Sequence, residues 1–328
     1  GDPQGLIPIQ RVGFWGGCGN AAALSRWDEA KRSKWRCGGE NSSPGGKNVF
    51  AVRPVSVPAV RPPSSAAVGA HVWLAAAMLV LATLAAYHNS FSGPFVFDDT
   101  PAIAENASIR RLWPLREVLF PQQAGGLTTS GRPVVNLSFA LNHAISGPQV
   151  WSYHVANLGI HVCAGLCLFG VVRRTWVMPG LRARFGAAAV PLAATVAALW
   201  LLHPLQTAAV TYVVQRAESL AGLFYLLTLY AFIRAESSPH GGRWRALSVA
   251  ACLFGMATKE IVVTAPLVVL LYDRTFVAGS LAAAWRQRRV FYGALAASWL
   301  VLALLVWATG GRGGTAGFGT AVSPWSYA

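Results

Sequence analysis

Two adjacent carboxylates, Asp98 and Asp99, follow the first long apolar stretch of the chain in the run Phe95-Val96-Phe97-Asp98-Asp99-Thr100-Pro101. A carboxylate beside a bilayer is costly unless it is solvated or paired, so a doublet at the mouth of an apolar segment is a candidate for proton transfer or cation binding. The same run is also a good turn and helix-start sequence, which leaves a loop cap as the plain alternative. Further polar groups recur at later breaks between apolar segments: Glu105-Asn106, Arg132-Pro133, Asn142-His143, His203-Pro204-Leu205-Gln206, Gln215-Arg216 with Glu218, and Lys259-Glu260. His154, Asn157 and His161 are three and four residues apart and share one helix face. Each group has a plain counterpart, since span histidines also serve as hydrogen-bond partners between helices and Arg216–Glu218 or Lys259–Glu260 also fit interfacial ion pairs. The histidine spacing does not fit a structural zinc site, while a divalent cation (Mg or Mn) bridged by Asp98, Asp99 and a phosphate stays open.

The elements that must position these residues are membrane spans. Of 328 residues, 54% are hydrophobic and only 12% are charged, the composition of an all-α, polytopic helical membrane protein. Residues 66–88 are apolar, carry no formal charge and are long enough to cross about 30 Å of hydrocarbon. Further spans are expected at about 153–172, 187–202, 219–233, 245–257, 261–271 and 290–309, giving about seven transmembrane helices. Thr258-Lys259-Glu260 is a tight polar turn between two short apolar runs and reads as the tip of a helical hairpin. Residues 89–152 are too polar to cross and form a large first loop.

The net charge of +15 invites a nucleic-acid reading, but its distribution argues against one. With the N-terminal tail cytoplasmic, Arg173, Arg174, Arg182, Arg184, Arg234, Arg243, Arg245, Arg274, Arg286, Arg288 and Arg289 all fall on the near, cytoplasmic side. The far side keeps only Arg110, Arg111, Arg116, Arg132, Arg216, Lys259 and Arg312, so the Asp98 loop is lumenal or periplasmic. Residues 1–66 are rich in Gly, Pro, Ser and basic side chains without helical or strand period, and read as a disordered cytoplasmic tail. Within it, Trp27 to Trp35 could form a short basic amphipathic helix. The five cysteines, Cys18, Cys37, Cys163, Cys167 and Cys252, lack a metal or disulfide pattern. The chain opens on Gly and ends in Ser323-Pro324-Trp325-Ser326-Tyr327-Ala328, which reads as a fragment at both ends.

A mixed-charge rim gathered on one face suits an enzyme or receptor for an anionic, membrane-resident substrate: cations for a phosphate, carboxylates for an acceptor proton, and interfacial aromatics for a sugar face or lipid chain. A transporter would instead place ionisable residues and broken helices at mid-bilayer.

The ordered set Phe97-Asp98-Asp99 with Glu105-Asn106, Gly131-Arg132-Pro133 through Asn142, Tyr153-His154 through His161, Leu202-His203-Pro204 through Glu218-Ser219, and Thr258-Lys259-Glu260 through Asp273 resembles the GT-C membrane glycosyltransferases. Among them it is most similar to the transmembrane and tetratricopeptide-repeat O-mannosyltransferases, over residues 68 to about 328. That resemblance implies a GT-C-like membrane domain over residues 67–328, incomplete at its C-terminus, with a first lumenal or periplasmic loop folded as helices. It implies transfer of a hexose, mannose by family expectation, from a polyprenyl or dolichyl phosphate carrier to an acceptor hydroxyl, in this family on protein Ser or Thr. By the same carry-over Asp98 deprotonates the acceptor and Asp99 positions acceptor or donor. Arg132, Arg216 and Lys259 become phosphate ligands, and His154, Asn157, His203, Glu218 and Glu260 shape the pocket. The expected partners are the lipid carrier and an acceptor protein or glycan, without nucleic acid, in the endoplasmic reticulum membrane or a bacterial inner membrane. Displacement at an anomeric carbon needs one base for the incoming hydroxyl and positive charge for the departing phosphate, so a single inverting step is expected. The family's helical repeats of about 34 residues are not visible in this stretch. A non-catalytic membrane scaffold or a polytopic transporter remains the alternative. Asn106-Ala107-Ser108 and Asn136-Leu137-Ser138 match the glycosylation acceptor pattern on the far side.

Overall fold

A computed structural model describes residues 65–121 and 128–310. The expected basic tail up to residue 64, with Trp27–Trp35, Cys18 and Cys37, lies outside the described residues, as does Arg312. Among the described residues the regular structure is helical throughout.

Alanine, leucine and valine dominate α1 (Ser65–Tyr87), and no Pro or Asp interrupts it. The helix is apolar on all sides, and Trp73 is 78% exposed with Met78 and Leu81 beside it. Such a surface is stable only against lipid or another protein. Among the described residues five helical stretches are long and apolar enough to cross a membrane: Gly69–Ser92, Val150–Trp176, Pro179–Leu201, Val213–Ser237 and Leu281–Ala308. They correspond to α1, α4 (Val150–Trp176), α5 (Pro179–Phe185) with α6 (Ala189–Leu201), α8 (Arg216–Ser237) and α11 (Leu281–Ala308).

The expected hairpin around Lys259 is present as α9 (Gly241–Met256) and α10 (Ala265–Phe276), joined by a tight 3-10 segment, Glu260–Thr264. At about 1.5 Å per residue these two helices reach roughly 24 Å and 18 Å, short of the hydrocarbon thickness. The expected seven spans thus resolve into five full-length helices and one shorter pair. Gly241-Gly242-Arg243-Trp244-Arg245 opens α9, and its polarity shortens the apolar run.

Close packing is achieved with small residues. On α6, Ala193, Ala197 and Leu201 face Leu79 of α1 and Phe169 of α4. A side chain at Gly165 would start 2.4 Å from Leu201, so α4 and α6 approach more closely than any larger residue allows. Val171, Phe232, Met256, Val269, Phe291 and Leu295 join α4, α8, α9, α10 and α11 in the largest buried cluster among the described residues.

The first loop is helical, as expected. It carries α2 (Leu115–Leu119), α3 (Pro133–Ser146) and short single turns at His88–Ser92, Thr100–Ala104 and Ala107–Ile109. Pro133 at the first position of α3 supplies the fixed φ that a helix start prefers. The loop has its own apolar core, where Ile103, Ile109, Val118, Val135 and Phe139 pack on Tyr153, Val213 and Val214. Asn106 and Asn136 are central to it. The Asn106 amide donates to Ala102 O (2.9 Å) and to Asn136 Oδ1 (3.0 Å), and the Asn136 amide donates to Val118 O (2.7 Å) and Ser108 Oγ (2.9 Å). Both side chains are buried. The amides of both asparagine motifs are thus spent inside the loop, and neither side chain is open at the surface of the fold.

Candidate active site

Asp98 and Asp99 are adjacent in sequence and opposite in environment. Asp99 is 1% exposed; its Oδ2 accepts the Val96 amide (3.0 Å) and its Oδ1 accepts the Val214 amide (2.7 Å). It therefore ties the doublet turn to the residues that lead into α8. Burial pushes the Asp99 carboxyl up, opposed by these two amides and by His154, with Asp98 adding to the rise. Between the two anchors Phe97 is held at φ +45°, left-handed backbone that is rare for a bulky residue, with its ring 86% exposed. The turn leaves the Asp98 side chain exposed. The Asp98 amide donates to the Tyr212 hydroxyl (2.9 Å), which lies beside the Asp98 carboxylate. Burial and the nearby carboxylates push the Tyr212 phenol up, against the Asp98 amide, so it stays a proton donor at neutral pH. Tyr212 lies within the Leu202–Ser219 motif, yet nothing in Thr211-Tyr212-Val213 signals that it meets a residue 114 positions earlier.

The support lies one layer in. Arg216 opens α8 and is 1% exposed. Its Nε donates to Asn157 Oδ1 (2.6 Å), Nη1 to Ser138 O (3.1 Å), and Nη2 to Asn142 Oδ1 (2.9 Å) and Tyr153 O (3.0 Å). Its guanidinium also lies over the Phe139 ring, 4.6 Å from the centroid. Arg216, expected among the phosphate ligands, is thus placed differently: every nitrogen is engaged by protein oxygen and no face is open. It fastens α3 and α4 to α8. Asn157 continues the clamp by donating to Val213 O (3.1 Å). His154, 3% exposed, meets Gly93 O through Nε2 (3.1 Å), and His161 meets Leu201 O (3.0 Å). The shared face of α4 therefore reads backbone carbonyls of three far-side segments, the interhelical role that was the plain alternative for these histidines. His154 and Asn157 do not reach solvent. His203 is exposed, and its Nδ1 accepts the Leu205 amide (3.2 Å), capping the turn that leads to α7 (Thr207–Thr211).

A mixed-charge rim forms where the starts of α3 and α8 meet the turn between α9 and α10. Arg132 pairs with Glu260 (3.5 Å) and donates to Thr128 O (2.8 Å); Lys259 pairs with Glu218; and the Val134 amide reaches Ala257 O (3.4 Å). Glu218 stands about one turn, roughly 6 Å, along the chain from Val214, the Asp99 anchor. It also lines a cleft of 460 Å³ with Trp200, Leu205, Gln206, Gln215 and Ser219. The structure therefore brings Arg132, Glu218, Lys259 and Glu260 together at one rim and links that rim to the doublet through the first residues of α8. Among the described residues no group of three His, Cys, Asp or Glu side chains gathers as a metal site. Both Asp99 oxygens already accept amides, so the doublet offers a cation the single open carboxylate of Asp98.

The fold and site define an all-helical, multi-pass membrane protein with a polar cap on one side. The resemblance read from the motifs is borne out: the chain is similar to protein O-mannosyl-transferases. It is 33% identical to Protein O-mannosyl-transferase TMTC2 of Mus musculus over 160 residues, covering 46% of this chain and 18% of that protein. It is 33% identical to Tmtc2 of Drosophila melanogaster over 199 residues, covering 57% and 20%. With TMTC4 of Homo sapiens the identity is 31% over 206 residues, covering 56% and 27%. The chain spans about a fifth of the length of the first of these relatives. No family model and no solved structure matches it.

Proposed function

We propose that this chain carries the acid-bearing membrane part of a glycosyltransferase that moves a hexose, mannose first, from a polyprenyl or dolichyl phosphate to a hydroxyl of protein Ser or Thr. The observation that carries the reading is the division of labour in the doublet: Asp99 is buried and spent on two amides, and the exposed Asp98 carboxylate is held out beside the Tyr212 hydroxyl. The names of the relatives supply the reaction class.

The acceptor hydroxyl approaches Asp98, which takes its proton as the oxygen attacks the anomeric carbon. The bond from that carbon to the phosphate oxygen breaks, and its electron pair leaves with the polyprenyl phosphate. One displacement inverts the anomeric configuration. Tyr212 steadies the Asp98 carboxylate, and Lys259 and Arg132 answer the charge that grows on the departing phosphate by exchanging part of their pairing with Glu218 and Glu260. The cap faces the lumen of the endoplasmic reticulum in a eukaryotic host. No step needs a metal, and a cation at Asp98 would serve the same phosphate charge. Transfer of labelled mannose from polyprenyl phosphate mannose by membranes containing the full-length protein tests the reading, with product stereochemistry as a second readout. Inverted product that depends on Asp98 supports it, and retained configuration would refute the single displacement.

A further inference from the structure

The opposite end of the helix bundle carries a second charged constellation that the transfer reaction does not use. Here α11 bends: Arg288 leaves helical backbone (φ −134°, ψ 30°) and its side chain turns inward. It pairs with Glu236 and, through Nη1, with Asp273 (3.1 Å). Tyr292 donates its hydroxyl to the same Asp273 (2.6 Å), and Arg245 pairs with Glu236 (3.1 Å). Both acids are consumed by Arg245 and Arg288.

Arg286 and Arg289, on either side of the bend, are exposed, and among the described residues neither makes an ion pair or hydrogen bond with the protein. With Arg245 they surround a groove of 410 Å³ between α9 and α11 whose floor is Val249, Phe291 and Ala294. The apolar floor runs out onto Val290, 81% exposed. Trp285, stacked on Tyr292 with centroids 6.3 Å apart, stands at the same level, where an amphipathic ring marks the membrane interface.

We propose that this groove binds an anionic glycerophospholipid of the near, cytoplasmic leaflet. Its phosphate sits between Arg286 and Arg289, with Arg245 behind, and an acyl chain lies along Val249, Phe291 and Ala294. Four guanidiniums against two carboxylates leave the groove with an excess of two positive charges, which matches a phosphate in the headgroup layer. The apolar floor at the point where α11 enters the bilayer favours a lipid over an acidic peptide or a free anion. The site is independent of the sugar-transfer reading.

The test is thermal melting of the full-length protein in detergent with dioleoyl phosphatidic acid, dioleoyl phosphatidylcholine or glycerol 3-phosphate added, together with native mass spectrometry of retained lipid. Phosphatidic acid alone is expected to raise the midpoint and to be retained. Replacing both free arginines (R286Q with R289Q) should weaken phosphatidic acid binding roughly 30-fold, at about 1 kcal/mol per cation. Because neither side chain makes an ion pair or hydrogen bond with the protein among the described residues, the midpoint without lipid should be unchanged. The pair R286K with R289K should keep most of the affinity. Equal effects of phosphatidylcholine, undiminished phosphatidic acid binding by the glutamine variant, or stabilisation by glycerol 3-phosphate alone would each overturn the proposal. The last would show a site for a free anion.

Discussion

At the scale of single residues, the doublet divides into an anchor and a presented group, and Phe97 between them carries the strain. A left-handed L residue costs about 1 kcal/mol, so Phe97→Gly should be at least as stable as the parent, since the exposed ring gives up little packing. Phe97→Ile should lower the melting midpoint, because a β-branched side chain tolerates that backbone least. A Gly variant that melts well below the parent would contradict the strain argument. Arg216→Met leaves the Asn157 and Asn142 side-chain oxygens and two backbone carbonyls without their donor inside the protein, and should destabilise the fold by on the order of 3 kcal/mol. Arg216→Lys should recover little, since one ammonium does not reproduce the guanidinium fork. A scan of tryptophan fluorescence against temperature reads both. Asp98 stands out in the sequence by type and position, and the structure adds that its side chain is exposed. The burial of Arg216 was not legible there, because an arginine beside a glutamate at the start of a span looks the same in sequence whether it faces a phosphate or four protein oxygens.

At the scale of elements, the start of α8 is the organiser. Val214 holds Asp99, Arg216 holds α3 and α4, and Glu218 holds Lys259 at the turn after α9. Exchanging the last pair separates structure from chemistry. Lys259→Glu with Glu218→Lys keeps an ion pair between α8 and the turn, so the melting midpoint should stay near that of the parent, while the KM for the phosphate-borne donor should rise several-fold. Transfer unchanged by the exchange would remove Lys259 from phosphate contact. The single-face spacing of His154, Asn157 and His161 was readable as a helix face. Its targets were not, since they are backbone carbonyls supplied by segments 40 to 61 positions away. The same holds for the two asparagine motifs: the glycosylation pattern is local, and the burial of both side chains comes from α3 folding over the Ala107–Ile109 turn. Treatment with a glycosidase should therefore leave the mass of the Asn106 and Asn136 peptides unchanged in protein from a glycosylating host.

At the scale of the molecule, composition and charge distribution set out a helical, multi-pass fold, and among the described residues five full-length helical stretches with a shorter pair carry it. Apolar runs reveal where helices cross, but short runs such as those of α9 and α10 do not disclose how far each penetrates, because penetration depends on the neighbours they pack against. The same alternation of helices puts Leu205, 82% exposed, on the Asp98 side and Arg182 on the arginine-rich side. In a background without native cysteines, Leu205→Cys should react with a membrane-impermeant thiol reagent only from the lumenal face of sealed vesicles, and Arg182→Cys only from the cytoplasmic face. Labelling of both from one face would overturn the topology.

Whether Asp98 takes the acceptor proton is tested most directly by comparing full-length protein with its Asp98→Asn variant at matched expression, following labelled mannose from polyprenyl phosphate mannose into acceptor protein. A loss of at least about 100-fold in transfer is expected, the scale of a removed general base, with melting midpoint and membrane insertion near those of the parent, because the Asp98 carboxylate is exposed and Asp99 anchors the turn. Transfer equal to wild type would contradict it and return the doublet to the role of a loop cap.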